Sequence, residues 1–457
     1  MQVKSDIAPQ DLKGLLDDFW KLSGEKIKLI ESEYDSSKGA PVFTVNGKYS
    51  SRGWTEWTEG FQYGSALLQF EATGDEEFLE IGRKNTLEKM APHITHIGVH
   101  DHGFNNISTY GNLLRFMKEG LIPQNDWEQH FYELGIKSSG AIQASRWSRT
   151  VDGGYIYSFN GPHSLFVDTI RSVRILVLSH LLGHRLKGEN DVAINLLDRG
   201  IKHILATARY NVYYGEGRDS YDTWGRTAHE CIFNTNDGNF RAPNAQQGFS
   251  GFTTWTRGLS WAICGFAEEL ELMQKLPESA FEGIIDKQAL LDVLTKGARA
   301  TCDFFIENTA SDGIPYWDTG APQLYKLGEY TTRKSDPYNE FEPIDSTAAA
   351  IAAQGLIRFG KLTGEKRYVQ AGFTSAETML EEPYLSTEPH HQGILLHSIY
   401  HQPNGWDNVP AGQKIACHES SMWGDYHMRE LAIQIGRMID NKSDYAFFNC
   451  LDNYRNQ

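Results

Sequence analysis

The stretch GVHDHGFNN, residues 98–106, sets the carboxylate of Asp101 between His100 and His102 and follows it with a glycine, an aromatic and two amides. Such a cluster can be a metal site, a catalytic acid or a crowded polar loop. A metal needs ligands that converge. His96 and His100 are four apart, as on a metal-binding helix face, but Gly98 between them weakens a helix, and no HExxH pair or Cys/His cluster completes the set. The expected metal content is therefore none. Gly98 and Gly103 flank Asp101 and predict a loop or helix entrance where the backbone can bend sharply.

A second carboxylate, Asp168, lies in NGPHSLFVDTIRSVRILVLSHLLG. Pro162 suits a first helical turn, and Phe166, Ile170, Val173 and Val177 form one apolar stripe, which predicts a helix over 162–182. Asp168 then falls on the other face with Ser164 and Ser172, a small polar stripe on an otherwise buried helix. Its alternatives are a solvated position or a pairing with Arg171. A third constellation is QQGFSGFTTWTRGLSWAICGF, residues 246–266, in which Arg257 has Trp255 and Trp261 as near aromatic neighbours. A guanidinium flanked by indoles suits a planar carboxylate, and it equally suits a structural salt bridge. His229 in GRTAHECIF reads by itself as a satisfied structural histidine.

These residues have to be held by helices. Helical periodicity dominates the chain, with segments at about 10–31, 57–73, 75–92, 105–119, 124–138, 162–182, 187–207, 255–276, 285–307, 345–361, 364–383 and 421–437. Six hairpins of two helices is the natural grouping. Thr73-Gly74-Asp75 and Thr363-Gly364-Glu365 read as stop and start signals between paired helices. The segment 345–359 is apolar nearly all round and predicts an inner helix, whereas 365–382 carries charge on one face and predicts an outer one. Four long stretches, 139–161, 208–254, 308–344 and 384–420, are rich in Trp, Tyr, His, Gly and Asn and are expected at one rim, where a binding site belongs. No linker interrupts the chain, so a single domain over 1–457 is expected.

The totals narrow the function classes. The 457 residues include 11 Trp, 21 Tyr and 23 Phe, an aromatic load suited to sugar rings as well as to a core. A net charge of −16 without a basic block argues against nucleic acid and anionic membranes as partners. No apolar run reaches membrane-spanning length, and no secretory signal stands at the N-terminus; a cytoplasmic location is expected, or a periplasmic one if a signal peptide has been removed. Five widely spaced cysteines without a CxxC pair argue against a disulfide framework or a zinc ribbon.

Taken together, these stretches resemble the unsaturated glucuronyl hydrolases of glycoside hydrolase family 88, and more distantly the unsaturated rhamnogalacturonyl hydrolases of family 105. The likeness runs from about residue 54 to 437. It is carried by WTEGFQYG (57–64), HDHGF (100–104), VDT (167–169), Gln247-Gly248, WTRGLSW (255–261), DSTAAAIAA (345–353), GILLH (393–397) and WGDY (423–426). Any one of these is weak, and eight in order are specific. The resemblance implies an all-α (α/α)6 barrel of twelve helices in six hairpins.

It also implies removal of a 4,5-unsaturated uronic acid from the non-reducing end of lyase-generated oligosaccharides, with no cofactor. A vinyl ether is hydrated: an acid protonates C4, water adds at C5, and the hemiketal opens and releases the next sugar. Because the bond to the anomeric carbon is not displaced directly, the carboxylate-separation rule of other glycosidases does not apply. Position by position, Asp168 matches the general acid/base and Asp101 its partner carboxylate, with Asp168 expected to have a raised pKa. His229 and Gln247 match residues around the unsaturated ring, and His100 matches the histidine before the partner carboxylate, a substrate-side neighbour. Trp57, Trp255 and Trp261 match aromatic walls, Trp147 is a further candidate wall, and Arg257 matches a substrate-binding arginine near the uronate carboxylate. One departure stands out: where many members carry a Ser-Asp-Asp-Ser run, this chain has Gly251 and Phe252 in the acidic places, so the neighbouring sugar site is expected to differ, with Tyr213, Tyr214, Tyr221 and Trp224 as a possible altered wall. A non-catalytic glycan-binding protein and another helical-barrel enzyme such as an epimerase are the alternatives.

Overall fold

The computed structural model describes residues 1–52 and 57–451, so the first three residues of the stretch 54–437 lie outside it. Twelve principal helices follow one another: α1 (Lys13–Glu33), α2 (Glu59–Thr73), α3 (Glu76–Lys89), α4 (102–119), α5 (Asp126–Ser145), α6 (169–181), α7 (Leu196–Ala206), α8 (Thr256–Lys275), α9 (Lys287–Glu307), α10 (Ser346–Thr363), α11 (Lys366–Met379) and α12 (Met422–Ile439). The even-numbered helices of the set α2, α4, α6, α8, α10 and α12 touch in that order, and α12 returns to α2, closing a ring. The odd-numbered helices pack outside this ring: α3 on α2, α5 on α4 and α6, α7 on α6, α9 on α8, α11 on α10, and α1 across α2 and α12. This is the (α/α)6 barrel that the periodicity and the resemblance both predicted.

Local chemistry explains the alternation. Residues 346–360 of α10 are buried without exception, as an inner helix packed on both sides requires, while α11 keeps its charges outward. Gly74 and Gly364 end their helices in the left-handed conformation at φ 70° and 73°, and the Asp75 carboxylate accepts from the Glu77 N–H at 3.0 Å to start α3. Helix α4 widens into a π turn at Ile107–Gly111, between two α-helical pieces.

Below the rim the lumen is filled by charge as well as by hydrocarbon. Arg171 donates to Glu268 at 3.1 Å and to Glu430 at 2.7 Å and contacts His427, all buried. Arg171 is therefore committed to these acids and not to Asp168. No helix among the described residues is long and apolar enough to cross a membrane.

The expected helix over 162–182 is corrected. Ser164–Phe166 forms a strand that pairs antiparallel with Glu230–Phe233, which in turn pairs with Phe240–Asn244, and helix begins only at Thr169. The tight turn before it, with Gly161 at φ 111°, and the hydrogen bonds available from the neighbouring strand outweigh the helical spacing of Phe166 and Ile170. Residues 187–195 likewise form no α-helix ahead of α7: Leu186–Lys187 pairs with Ala193–Ile194 in a short hairpin whose connection holds a 3-10 turn at Glu189–Asp191.

Candidate active site

The strand correction moves Asp168 from a helix face to a junction. It is the residue before α6, separated from the strand Ser164–Phe166 by Val167 alone. Val167 N–H donates to the His229 carbonyl at 2.9 Å, so the sheet holds the segments of Asp168 and His229 side by side, and the Phe166 and His229 rings sit 4.3 Å apart. Asp101 occupies the equivalent place one helix earlier, at the entrance of α4, as its flanking residues predicted.

The two entrances are bolted together. Ser172 Oγ donates to the His100 carbonyl at 2.6 Å and accepts from the Gly103 N–H at 3.1 Å, and Gln143 Nε2 donates to the same carbonyl and to Ser172 Oγ. Gly103 is required for proximity and not for a bend: a Cβ there would meet the Ser172 carbonyl oxygen. Ser172, read only as part of a polar stripe, is thus the link between the two carboxylate segments.

His100 occupies the space between the acids. Its Nε2 lies 3.3 Å from Asp168 Oδ1 and 3.8 Å from Asp101 Oδ1. The three groups polarise one another. Burial pushes Asp101 up to about 6, against the pull of His100 and with the help of the Asp168 charge. Burial pushes Asp168 up as well, but the His100 hydrogen bond and charge outweigh it and hold Asp168 below its ordinary value. His100 itself is raised above 6.5, because Asp101 and Asp168 overcome a burial that would lower it. The expectation of a raised pKa at Asp168 is corrected: Asp168 is lowered, and the groups that hold a proton more tightly are the imidazole and Asp101.

These groups open on a cleft of about 330 Å³. Trp57, His100, Asp101, Asp168, Gln247, Trp255, Arg257 and Trp261, all singled out from sequence, line it. Trp261 is backed by Phe104 at 4.8 Å and meets His427 in a T-shaped contact at 4.9 Å, and Trp57 packs at a tilt on Trp423 at 4.8 Å. His229 is not on the wall. It lies behind it between Phe166 and Trp255, its Nδ1 accepting from the Gln246 and Gln247 N–H groups at 3.0 and 3.2 Å, and burial lowers it to about 4. His102 donates or accepts only within the fold, with Ser139 Oγ and the His96 carbonyl.

Arg257 needs a correction of role. Its Nη1 donates to Asp345 at 2.7 Å and to the Ile399 carbonyl, and its Nη2 donates to Gln247 Oε1 at 2.9 Å and to the Tyr400 carbonyl at 2.7 Å. All four Nη hydrogens are taken by protein acceptors, and the guanidinium lies over Trp255 at 4.6 Å. In this state it clamps the wall and does not offer a fork to a carboxylate.

Four wall residues were missed: Phe159, Tyr400, His401 and Trp406. Tyr400, His401 and Trp406 lie in the aromatic- and histidine-rich stretch 384–420 and Phe159 in 139–161, and a stretch's composition does not single out which of its residues face a cleft. Trp147 and the tyrosines of 208–228 are not among the residues lining the cleft. Trp147 carries Arg199 over its ring at 4.8 Å, Tyr213 is buried under Arg226 at 3.8 Å, Tyr214 pairs edge-on with Trp224, and Tyr221 is exposed. Among the described residues no group of three or more His, Cys, Asp or Glu side chains is placed to hold a metal ion.

No family model matches the chain. Curated relatives do. An unsaturated glucuronyl hydrolase of Formosa agariphila is 24% identical over 383 residues, 82% of this chain and 78% of that protein. One of Bacillus sp. (strain GL1) is 24% identical over 410 residues, 86% and 90% of the two. An unsaturated chondroitin disaccharide hydrolase of Streptococcus agalactiae is 22% identical over 417 residues, 89% and 87%. Among solved structures, an unsaturated glucuronyl hydrolase specific for heparin superposes with a TM-score of 0.70 at 17% identity, covering 94% of this chain and 98% of the other. The enzyme of Bacillus sp. GL1 superposes at 0.65 and 20% identity, covering 92% and 97%. In sequence the chain is similar along most of its length to the unsaturated glucuronyl hydrolases, and it shares the fold of their solved structures.

Proposed function

We propose that this protein is a glycoside hydrolase that removes a 4,5-unsaturated uronic acid from the non-reducing end of oligosaccharides by hydrating the C4=C5 bond. The observation that carries this reading is the convergence of Asp101 and Asp168 on one imidazole in a cleft walled by Trp57, Trp255 and Trp261. Flat indole faces suit a half-planar unsaturated ring, and two carboxylates with unequal proton affinities suit acid–base work on it.

In this reading Asp168 gives a proton to C4, and the electron pair of the double bond forms the C4–H bond. Positive charge develops at C5 and is shared with the ring oxygen. Asp101, ionised, stabilises that charge and orients hydroxyls. Water adds at C5, its proton returns to Asp168, and the hemiketal opens to release the next sugar. Gln247, held by Arg257, contacts the ring from the wall, and His229 fixes the main chain behind Gln246 and Gln247. Family names among the relatives and the shared barrel support the substrate class, which for this chain is an unsaturated uronide of lyase origin.

The test is direct. Purified protein is mixed with lyase-generated unsaturated disaccharides, and the absorbance of the conjugated double bond is followed. Loss of absorbance is expected with wild type and a fall of about 10³-fold or more in kcat with Asp168→Asn. No loss on any uronide sinks the hydrolase and leaves a glycan-binding protein; full activity in Asp168→Asn sinks that residue's role.

A further inference from the structure

We infer that His100 is a positioning residue that acts through Asp168: its Nε2, set between the two carboxylates, holds on the His100–Asp168 pair the proton that Asp168 delivers to C4. This rests on the proposed hydration reaction. The sequence alone suggested a substrate contact for His100, and the geometry argues otherwise. The His100 side chain is 2% exposed, against 9% for Asp101 and 11% for Asp168, so an incoming sugar meets the carboxylates first.

The ring is held for that task. It stacks on Phe159 at 5.9 Å and an interplanar angle of 26°, meets Phe166 edge-on at 5.6 Å, and has its own carbonyl fixed by Ser172 and Gln143. Nδ1 is buried without a hydrogen-bond partner among the described residues, which leaves Nε2 as the side of the ring engaged by the protein. The charges around it are of mixed sign. Asp101 and Asp168 favour the imidazolium; Arg146, at the end of α5, opposes it but spends its donors on the Ile97, Tyr157 and Ser158 carbonyls. His203 on α7 and His229 beside the sheet also face the cluster, and burial keeps both neutral, at about 3 and about 4. Arg257 also faces Asp168 and favours its ionised form, so the proton of the pair rests on the imidazole, where Asp101 and Asp168 outweigh Arg146.

The proton inventory closes. Nε2 passes its proton to Asp168 Oδ1, leaving a neutral ring; the O–H bond of Asp168 breaks as the C4–H bond forms; water gives its oxygen to C5 and its proton to the Asp168 carboxylate. The pair ends the cycle with the proton it started with, and no oxidant or further acid is needed. Protonation of the pair then sets the alkaline limit of activity.

The experiment is the pH profile of kcat/KM for wild type and His100→Gln on one unsaturated disaccharide. Removal of the imidazole is expected to move the alkaline limb down by about one pH unit or more, with a fall of about tenfold or more at pH 7.5 and a smaller one near pH 5.5. An unmoved limb with a raised KM alone overturns the inference and makes His100 a substrate contact. A second measurement covers a variant that fails to fold. In imidazole 15N NMR of wild type, one histidine is expected to titrate above 6.5, and its midpoint is expected to fall in Asp168→Asn. No such histidine, or one that ignores Asp168→Asn, overturns the pairing. If no uronide is consumed by wild type, the proposed reaction fails; the NMR result still decides the pairing on its own.

Discussion

Gly103 lies so close to Ser172 that a Cβ on the glycine would stand 1.9 Å from the serine carbonyl oxygen. That contact sets the distance between the segments bearing Asp101 and Asp168, since the Ser172 hydroxyl also ties down the His100 carbonyl. Gly103→Ala is expected to push α4 off α6, costing about 1–3 kcal/mol in stability and about 100-fold or more in kcat. Ser172→Ala removes the hydroxyl without the clash and is expected to cost about 1 kcal/mol, with a milder loss of rate. Urea unfolding and steady-state kinetics on both variants check this; equal kinetic effects would show that spacing is not what the glycine protects.

Asp101 is expected to exchange stability for activity. Its folded pKa of about 6 exceeds its ordinary value of 3.8, so ionising it in the fold is costly, and its contribution to stability declines as pH rises from about 4 through 6. Asp101→Asn is therefore expected to melt higher than wild type at pH 7, to show no such gain at pH 4, and to lose about 10²–10³ in kcat. The acid limb of kcat/KM near pH 6 in wild type should disappear from the residual activity. A lower melting temperature at pH 7 would show that Asp101 is stabilised by its neighbours and not strained by burial.

The barrel was legible because its signals are local. Gly74 and Gly364 stop helices, Asp75 caps one, and the small-residue face of α10 demands burial on both sides. The site was legible as a set of residues, because Asp101, Asp168 and the three tryptophans sit in short motifs. What failed was long-range. Ser164–Phe166 carries a helical spacing but is claimed by a strand more than 60 residues away, and nothing local announces that partner. Arg257 reads as a ligand until Asp345, Ile399 and Tyr400 arrive from other segments to occupy its donors. The unequal proton affinities of Asp101 and Asp168 depend on which of them lies nearer His100 Nε2, a distance that sequence spacing does not contain.

The Arg257 clamp makes Asp345 a remote determinant of the cleft. Asp345 caps α10 through the Thr347 N–H and neutralises the buried guanidinium, yet it does not line the cleft. Asp345→Ala leaves a buried cation unpaired and is expected to cost about 3–5 kcal/mol. Because Arg257 also holds Gln247 and the Tyr400 carbonyl, KM is expected to rise along with the loss of stability. Chemical denaturation together with KM measured on folded protein tests the link; an unchanged KM would detach Arg257 from the wall.

Glu269 on α8 is wholly buried, with both carboxylate oxygens lacking hydrogen-bond partners among the described residues, and burial together with the Glu268 charge pushes it up to about 8. A carboxyl whose folded pKa lies above its ordinary value of 4.5 costs stability increasingly as pH climbs between those values. Glu269→Gln keeps the shape and removes the charge. It is expected to leave the melting temperature near wild type at pH 5 and to raise it by several degrees at pH 8. A variant that is less stable at pH 8 would mean that the carboxylate is ionised and paired.

The leaving sugar is expected to be uncharged. Among the described residues lining the cleft, Arg257 carries the one permanent positive charge, and its Nη hydrogens are spent on the protein. His401, whose ring lies 4.7 Å from that of Trp406, is lowered to about 4 by burial and stays neutral in the working range. A sulfate brought here would give up water for no cation while facing Asp101 and Asp168, a desolvation that aromatic walls do not repay. Matched unsaturated disaccharides differing only by a sulfate on the leaving sugar should therefore differ by about tenfold or more in kcat/KM, in favour of the unsulfated one. Equal rates would mean that the leaving sugar's substituent points to solvent, and a preference for the sulfated disaccharide would require a cation that reaches the cleft only when substrate is bound.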